Sequence, residues 1–243
     1  MGRMRKRAGL VKDWLRCQIN YWLFFQKLVK NKKGLHIGCG WKRIDSLINI
    51  DIKPTKATDL LMDCRNLKRF FGSDLEMVYA NAALEHLTPN EADSFINQCR
   101  NVISPKGSLL ITGIPDFESI SRSYLNKDKL FVNKPVTIKA VMNYVYGWEG
   151  NASGQTTESI KKNIAGHHKS LIDSDQLLQW LSQTDYQSWA IFRYCYQDEK
   201  LPLNLGLIAF NQKQIIDSSA VAKMMNQMFD EHTQKALIIV HRS

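Results

Sequence analysis

Gly34-Leu35-His36-Ile37-Gly38-Cys39-Gly40 sets the architecture of this chain. A short run, apolar except for His36, passes straight into a G-x-G turn. A buried strand ends this way where a side chain would block a ligand approaching the backbone. Four more short apolar runs follow: Leu47–Ile50, Leu60–Met62, Met77–Ala80 and Leu109–Thr112. Gly, Asp, Asn and Pro bound them, as they bound strands buried on both faces. Between the last two runs, Ala92, Phe95, Ile96, Cys99 and Val102 recur at helical spacing behind Thr88-Pro89, a good helix start. Strands alternating with helices predict an α/β domain with a mostly parallel sheet.

Upstream of this stretch, Val11, Trp14, Leu15, Ile19, Trp22, Phe25 and Val29 form an apolar stripe, so residues 1–33 read as a basic amphipathic helix ending at Lys32-Lys33-Gly34. This arm holds most of the chain's net charge of +10, with ten Lys/Arg against one acid, whereas residues 34–243 hold 23 bases and 22 acids. A neutral body does not point to a nucleic-acid surface. The arm's basic and aromatic composition suits either a packed helix or peripheral contact with an anionic membrane.

Downstream, Phe117–Lys169 loses periodicity and gathers aromatics, among them Tyr144, Tyr146 and Trp148, so it reads as an inserted, partly helical segment on the acceptor side. Its eight Lys/Arg outnumber four acids, which suits an anionic acceptor or a solvated surface equally. A helix capped at Asp173-Ser174, strands near Trp189–Tyr196 and Leu203–Asn211, a helix near Ser219–Phe229 and the apolar run Leu237–Val240 complete the chain. At 243 residues, with 44% hydrophobic and 23% charged residues, one well-packed domain is expected. Five scattered cysteines without a C-x-x-C pair fit a reducing compartment. With no bilayer-length apolar run and no signal-peptide pattern, a cytoplasmic location is expected.

Polar residues close successive strands: Asp51, Asp63 and Asn81. In an open α/β sheet these ends share one crevice, the usual ligand position. With the Gly38-Cys39-Gly40 turn, Ile48-Asn49-Ile50-Asp51, Leu84-Glu85-His86, Tyr146-Gly147 and His168-Lys169, the chain resembles the class I S-adenosylmethionine-dependent methyltransferases. It is most similar to a small bacterial branch often associated with glycan biosynthesis. The resemblance spans about residues 34–115 well and 147–211 loosely. It implies a Rossmann-like sheet with an antiparallel last strand, S-adenosylmethionine as cofactor, and O-methylation of a small or glycan-like acceptor. Gly38, Cys39 and Gly40 would face the methionine part, Asp51 the ribose, Asp63 with Cys64 the adenine, and Asn81 the sulfonium. His36 and Ile52 complete the cofactor-facing set.

Three features depart from that pattern. His36 stands where an acid is usual, and Lys42 stands where a third glycine would be. Only residues 41–46 separate Gly40 from the second strand, too few for the helical crossover that parallel neighbours normally use. The first crossover helix is therefore expected to be shortened or absent, with the N-terminal helix covering the sheet face left bare.

Candidates for proton handling are Glu85, His86, Asp116 and His168; adjacent side chains on an extended segment point apart, so only one of His167 and His168 is expected to act, and the resemblance, through its His-Lys pattern, implies His168. No H-x-x-x-H or H-E-x-x-H spacing suggests a metal site, and none is expected. A nicotinamide-dependent oxidoreductase would carry a glycine at the position of Arg43 and an acid about 20 residues on, whereas Asp51 comes 13 residues after Gly38. The remaining rival is a methyltransferase-like binding scaffold without catalysis.

Overall fold

The computed structural model describes residues 2–131, 134–147, 167–196, 199–228 and 237–243. Trp148 and residues 149–166 of the expected insertion lie outside the described residues. The central sheet is built from β1 (Gly34–Ile37), β2 (Ile48–Asp51), β3 (Leu60–Leu61), β4 (Leu75–Asn81), β5 (Ile103–Pro115), β8 (Ser188–Tyr194), β9 (Asn204–Phe210) and β10 (Ile238–Arg242). A small hairpin, β6 (Lys129–Phe131) and β7 (Lys134–Pro135), stands apart from it.

Across the sheet the order is β10-β8-β9-β5-β4-β1-β2-β3. Six strands run one way, and β9 and β10 run against them. The reversed strand β9 therefore sits between β5 and β8, and the terminal apolar run adds a second reversed strand at the edge. Chain order turns around between β1 and β4, which makes their carboxyl ends the topological switch point.

The two faces of the sheet are covered differently. Leu35, Ile37, Ile48, Ile50, Val78, Ala80, Leu109 and Ile111 point to one face, where they pack with α4 (Pro89–Val102) and α7 (Ser174–Ser182). The short α3 (Leu67–Phe70) adds Leu67 to the same core. Helix α4 begins where the sequence places it, with Pro89 in its first turn and a reciprocal Thr88–Glu91 cap. On the other face, Tyr79, Leu110, Phe192, Tyr194 and Ile208 pack with Val221 and Met225 of α8 (Ser218–Met228).

Residues 38–47 contain turns and no helix. A right-handed crossover from β1 to β2 would lie on the second face, opposite α4, because it moves across the sheet in the opposite direction. There the strands carry His36 and Asn49 instead of apolar side chains. The Asn49 side chain pins the loop: its Oδ1 accepts from the Ile44 amide at 2.9 Å, and its Nδ2 donates to Ile44 O and Leu47 O, each at 3.0 Å. Ile44 and Leu47 then join the second core. A hydrogen-bonded loop occupies the place of a helix.

The N-terminal helix does not cover that gap. It comprises α1 (Gly2–Ile19), a π turn (Asn20–Phe24) and α2 (Phe25–Asn31). Tyr21, Phe25, Leu28 and Val29 pack into the first core, the α4 side, with Tyr21 against Phe70 and Phe25 against Phe71. The same helix caps the approach to β3: Arg16 donates to Thr55 O and Thr58 O, and Asn20 Nδ2 donates to Asp59 O. The correction has a physical reason. The polar network of β1 and β2 needs no apolar cover, whereas the two-residue edge strand β3 and the four-residue α3 leave the first face and its edge open.

Candidate active site

Strand register brings the strand-end residues into one row. Asp51 pairs with Leu61, Ile37 lies level with both Ile50 and Ala80, and Asn81 pairs with Thr112. Leu61, Asp51, Gly38, Asn81 and Thr112 thus share one level at the carboxyl edge, with Asp63 two residues beyond Leu61. Gly38 and Gly40 adopt φ of +62° and +52°, the left-handed region, and a Cβ at Gly40 would enter open space. The turn presents bare main chain to the crevice. Asp51 closes it: its Oδ2 accepts from the Gly40 amide and its Oδ1 from the Lys53 amide, both at 2.8 Å.

The other cofactor-side residues divide by orientation. Ile52 projects outward, 56% exposed, as an apolar surface beside Asp51. Cys39 turns inward, its Sγ 3.6 Å from Thr58 Oγ1, and burial pushes its thiol up to about 12, so only its backbone faces the crevice. Cys64 opens a single 3-10 turn behind Asp63, and burial likewise raises its thiol to about 12. Arg65 beside Asp63 holds that carboxyl below the usual range, with Arg65 Nε within 3.0 Å of both carboxylate oxygens. The Arg65 amide also donates to Oδ1 and its Nη2 to Oδ2, so Arg65 engages both Asp63 oxygens twice over and a base amino group would have to compete with it. His36 lies one level inside the row, 2% exposed, bonded through Nδ1 to Asn49 Oδ1 at 3.0 Å and stacked on Tyr79. Its position is that of a buried structural group, and the acidic residue usual there has no counterpart in the crevice.

On the far side of the row, Thr112 Oγ1 donates to Asn81 Oδ1 at 3.0 Å, and the chain then turns through Ala82 at φ +49°. A non-glycine residue in this region is strained by about 1 kcal/mol or more. The turn delivers Leu84–His86 as a 3-10 turn whose Glu85 is buried and whose His86 is partly exposed. Ala83 stays close to the glycine turn, since a Cβ built on Gly38 would stand 3.1 Å from the Ala83 Cβ.

His168 arrives from the distant segment after α6 (Ile138–Tyr146), held where the Lys169 amide donates to Glu85 O at 2.8 Å. His168 Nε2 lies 3.9 Å from Glu85 Oε1, and His86 Nε2 lies 4.0 Å from the same oxygen. Burial pushes the Glu85 carboxyl up to about 8 and the His168 imidazole down to about 4, the latter helped by neighbouring His86. Both shifts favour the neutral forms. Three sequence candidates therefore meet in one cluster.

Asp116 does not join them. It is fully buried at the start of α5 (Phe117–Leu125), where its Oδ2 accepts from Arg193 Nε and Ser119 Oγ. An acid committed to a buried guanidinium anchors β8 to α5 and is poorly placed to take a proton from an acceptor. Thr112, absent from the sequence candidates, completes the row; its only signal was its place at the end of the fifth apolar run.

No known protein family matches the chain, and no curated protein does. Similar solved structures include S-adenosylmethionine-dependent methyltransferases from Thermotoga maritima (10% identity, 83% of this chain and 94% of the other, TM-score 0.47), Archaeoglobus fulgidus (12%, 81% and 93%, 0.47) and Methanosarcina mazei (13%, 77% and 96%, 0.43). Likenesses of this degree leave the functional reading to rest on the chain's own residues.

Proposed function

We propose that this chain is an S-adenosylmethionine-dependent methyltransferase acting on a hydroxyl of a small or glycan-like acceptor. Residues 34–243 form the catalytic domain in this reading, and 117–169 form its acceptor-side insertion. The carrying observation is the Asp51–Gly38–Asn81–Thr112 row at the switch point, fronted by two left-handed glycines. The row fits a nucleoside bearing a charged sulfur. Asp51 offers its remaining lone pairs to ribose hydroxyls, Ile52 offers an apolar face to the base, and the Gly38–Gly40 main chain admits the amino-acid portion without a side chain in the way.

When bound, the cofactor supplies a methyl group activated by its sulfonium charge. The chain's own contribution is first alignment, which can supply much of the rate of an in-line displacement. A hydroxyl acceptor must also lose its proton, and the Glu85–His86–His168 cluster stands beside Asn81 to receive it. His168 Nδ1 lies 2.7 Å from Tyr144 O, an acceptor only, so Nδ1 carries the hydrogen and Nε2 holds the lone pair. The buried, functional-looking cluster supports an enzyme over an inert scaffold.

We further propose that the chain is cytoplasmic and meets an anionic membrane surface peripherally. No helix among the described residues is long and apolar enough to cross a membrane. The N-terminal helix nevertheless leaves Leu10, Val11, Trp14, Leu15, Ile19, Trp22 and Leu23 exposed on its undocked side. The same 33 residues carry ten cations in sequence, of which Arg16 and Lys32 turn to the domain, a composition that suits anionic headgroups above an apolar boundary.

Calorimetric titration of S-adenosylmethionine into the full chain tests the central reading. Saturable binding that Asp51→Ala weakens about a hundredfold is the expected result; a folded chain that does not bind contradicts it.

A further inference from the structure

Glu85, His86 and His168 place three ligating atoms within 4.8 Å of one another. His86 Nδ1 lies 3.1 Å from His167 O, as His168 Nδ1 lies 2.7 Å from Tyr144 O. A carbonyl oxygen can only accept, so each imidazole carries its hydrogen on Nδ1 and turns the Nε2 lone pair inward. Both Nε2 atoms lie near one carboxylate oxygen, Glu85 Oε1, at 4.0 and 3.9 Å. Those separations are too long for a proton to bridge them. They exceed by about half an ångström the roughly 3.4 Å between neighbouring donors of a tetrahedral site with 2.0–2.2 Å bonds.

A second observation points the same way. Glu85 is 2% exposed, and its Oε2 is buried without a hydrogen-bond partner among the described residues. A buried carboxyl oxygen without a partner is costly, and a bound cation would satisfy it.

We propose that Glu85, His86 Nε2 and His168 Nε2 bind a divalent first-row transition-metal ion. Two imidazoles and one carboxylate suit zinc, iron, cobalt, nickel or manganese better than magnesium or calcium, which prefer all-oxygen sites. The backbone carbonyls of Tyr144 and His167 orient the ligands by accepting from the imidazoles' other nitrogens, the outer support usual for metal-bound histidine. Closing the cluster by a few tenths of an ångström brings all three atoms to bonding distance.

Three protein ligands leave coordination positions open, as in catalytic sites. This role rests on the methyltransferase reading above. With its Nε2 lone pairs on the ion, the cluster would no longer take the acceptor proton itself: the ion would bind the acceptor hydroxyl, stabilise its alkoxide form and let its proton pass to solvent. The oxygen then displaces the sulfonium, forming the O–CH₃ bond as the S–CH₃ bond breaks and leaving a neutral thioether. An acceptor with a second oxygen near the hydroxyl, as in a vicinal diol, would chelate.

Cobalt(II) is the probe, because its visible ligand-field absorption reports coordination without any turnover. Chelator-treated full chain is titrated with cobalt(II), and then with zinc(II) and magnesium(II) as competitors. The expected result is saturation at one equivalent, displacement by zinc(II) and not by magnesium(II), and at least a tenfold loss of affinity in both Glu85→Gln and His168→Ala. His168→Asn provides a second reading of the same position if the alanine variant loses its native circular dichroism. Natively folded chain without saturable cobalt(II) binding overturns the site, as does binding unchanged in the variants. A calorimetric titration with S-adenosylmethionine on the same samples separates the two claims. Cobalt(II) bound without nucleoside binding sinks the methyltransferase reading alone, and the converse sinks the metal site alone.

Discussion

The two sides of the crevice are made of different materials. On the β1–β2 side the working surface is main chain, a glycine turn tied by its own amide to Asp51, with a polar network beneath it. On the β4 side it is side chains, two imidazoles and a buried carboxyl gathered from segments more than 80 residues apart. The first side needs few contacts because left-handed glycines and one carboxylate fix its shape locally. The second depends on distant chain segments docking correctly, and burial there favours the neutral forms of Glu85 and His168.

Substitutions that strike one side and spare the other test this contrast. Asn49→Ala should be the most damaging, since it leaves the Ile44 amide and the Asp59 carboxylate short of buried partners. A loss of about 3 kcal/mol in urea unfolding is expected from breaking such a network. Asp51→Ala should weaken S-adenosylmethionine about a hundredfold, equivalent to about 2.8 kcal/mol, in a calorimetric titration. Glu85→Gln, on the opposite side, should leave that affinity within about threefold, under 1 kcal/mol. Equal losses in both variants would erase the distinction between the two sides.

A smaller effect concerns the helix outside the crevice. Trp14→Ala with Trp22→Ala should lower partition into phosphatidylserine vesicles about tenfold, or about 1.4 kcal/mol, without moving the unfolding midpoint. Both indoles are largely exposed, so unchanged stability is part of the expectation. Equal binding to purely zwitterionic vesicles would remove the electrostatic part of the proposal.

The smallest effect is a pH limb. Burial alone would raise the Asp59 carboxyl, but hydrogen bonds from the Asn49 amide and Arg43 outweigh it and hold the group below its ordinary 3.8. A depressed carboxyl stabilises the fold above its unfolded value, and that contribution is lost as pH falls through the lower folded value. Asp59→Asn should therefore flatten the acid side of the stability profile below about pH 4 and leave its alkaline side unchanged.

What the sequence revealed follows the same division. The strands were legible because residues such as Leu35, Ile37, Ile48 and Ile50 are buried in continuous runs, and the glycine turn was legible because its conformation is local. The N-terminal helix was legible as a helix, but its docking was not. Its apolar stripe is wider than the surface it buries, and only the structure reveals that His36 and Asn49 make the second face polar. The terminal strand β10 is too short for periodicity to separate it from other apolar runs. The metal-type cluster escaped because spacing motifs detect ligands on one element, whereas Glu85 and His168 meet through the pairing of Lys169 with the Glu85 carbonyl.

A crystal structure of the full chain with S-adenosylhomocysteine tests the central claim most directly. The account predicts the ribose hydroxyls on Asp51, the base against Ile52 and near Asp63, and the sulfur beside Asn81, facing Glu85 and His168. A nucleoside bound elsewhere, with no contact to Asp51, would contradict it.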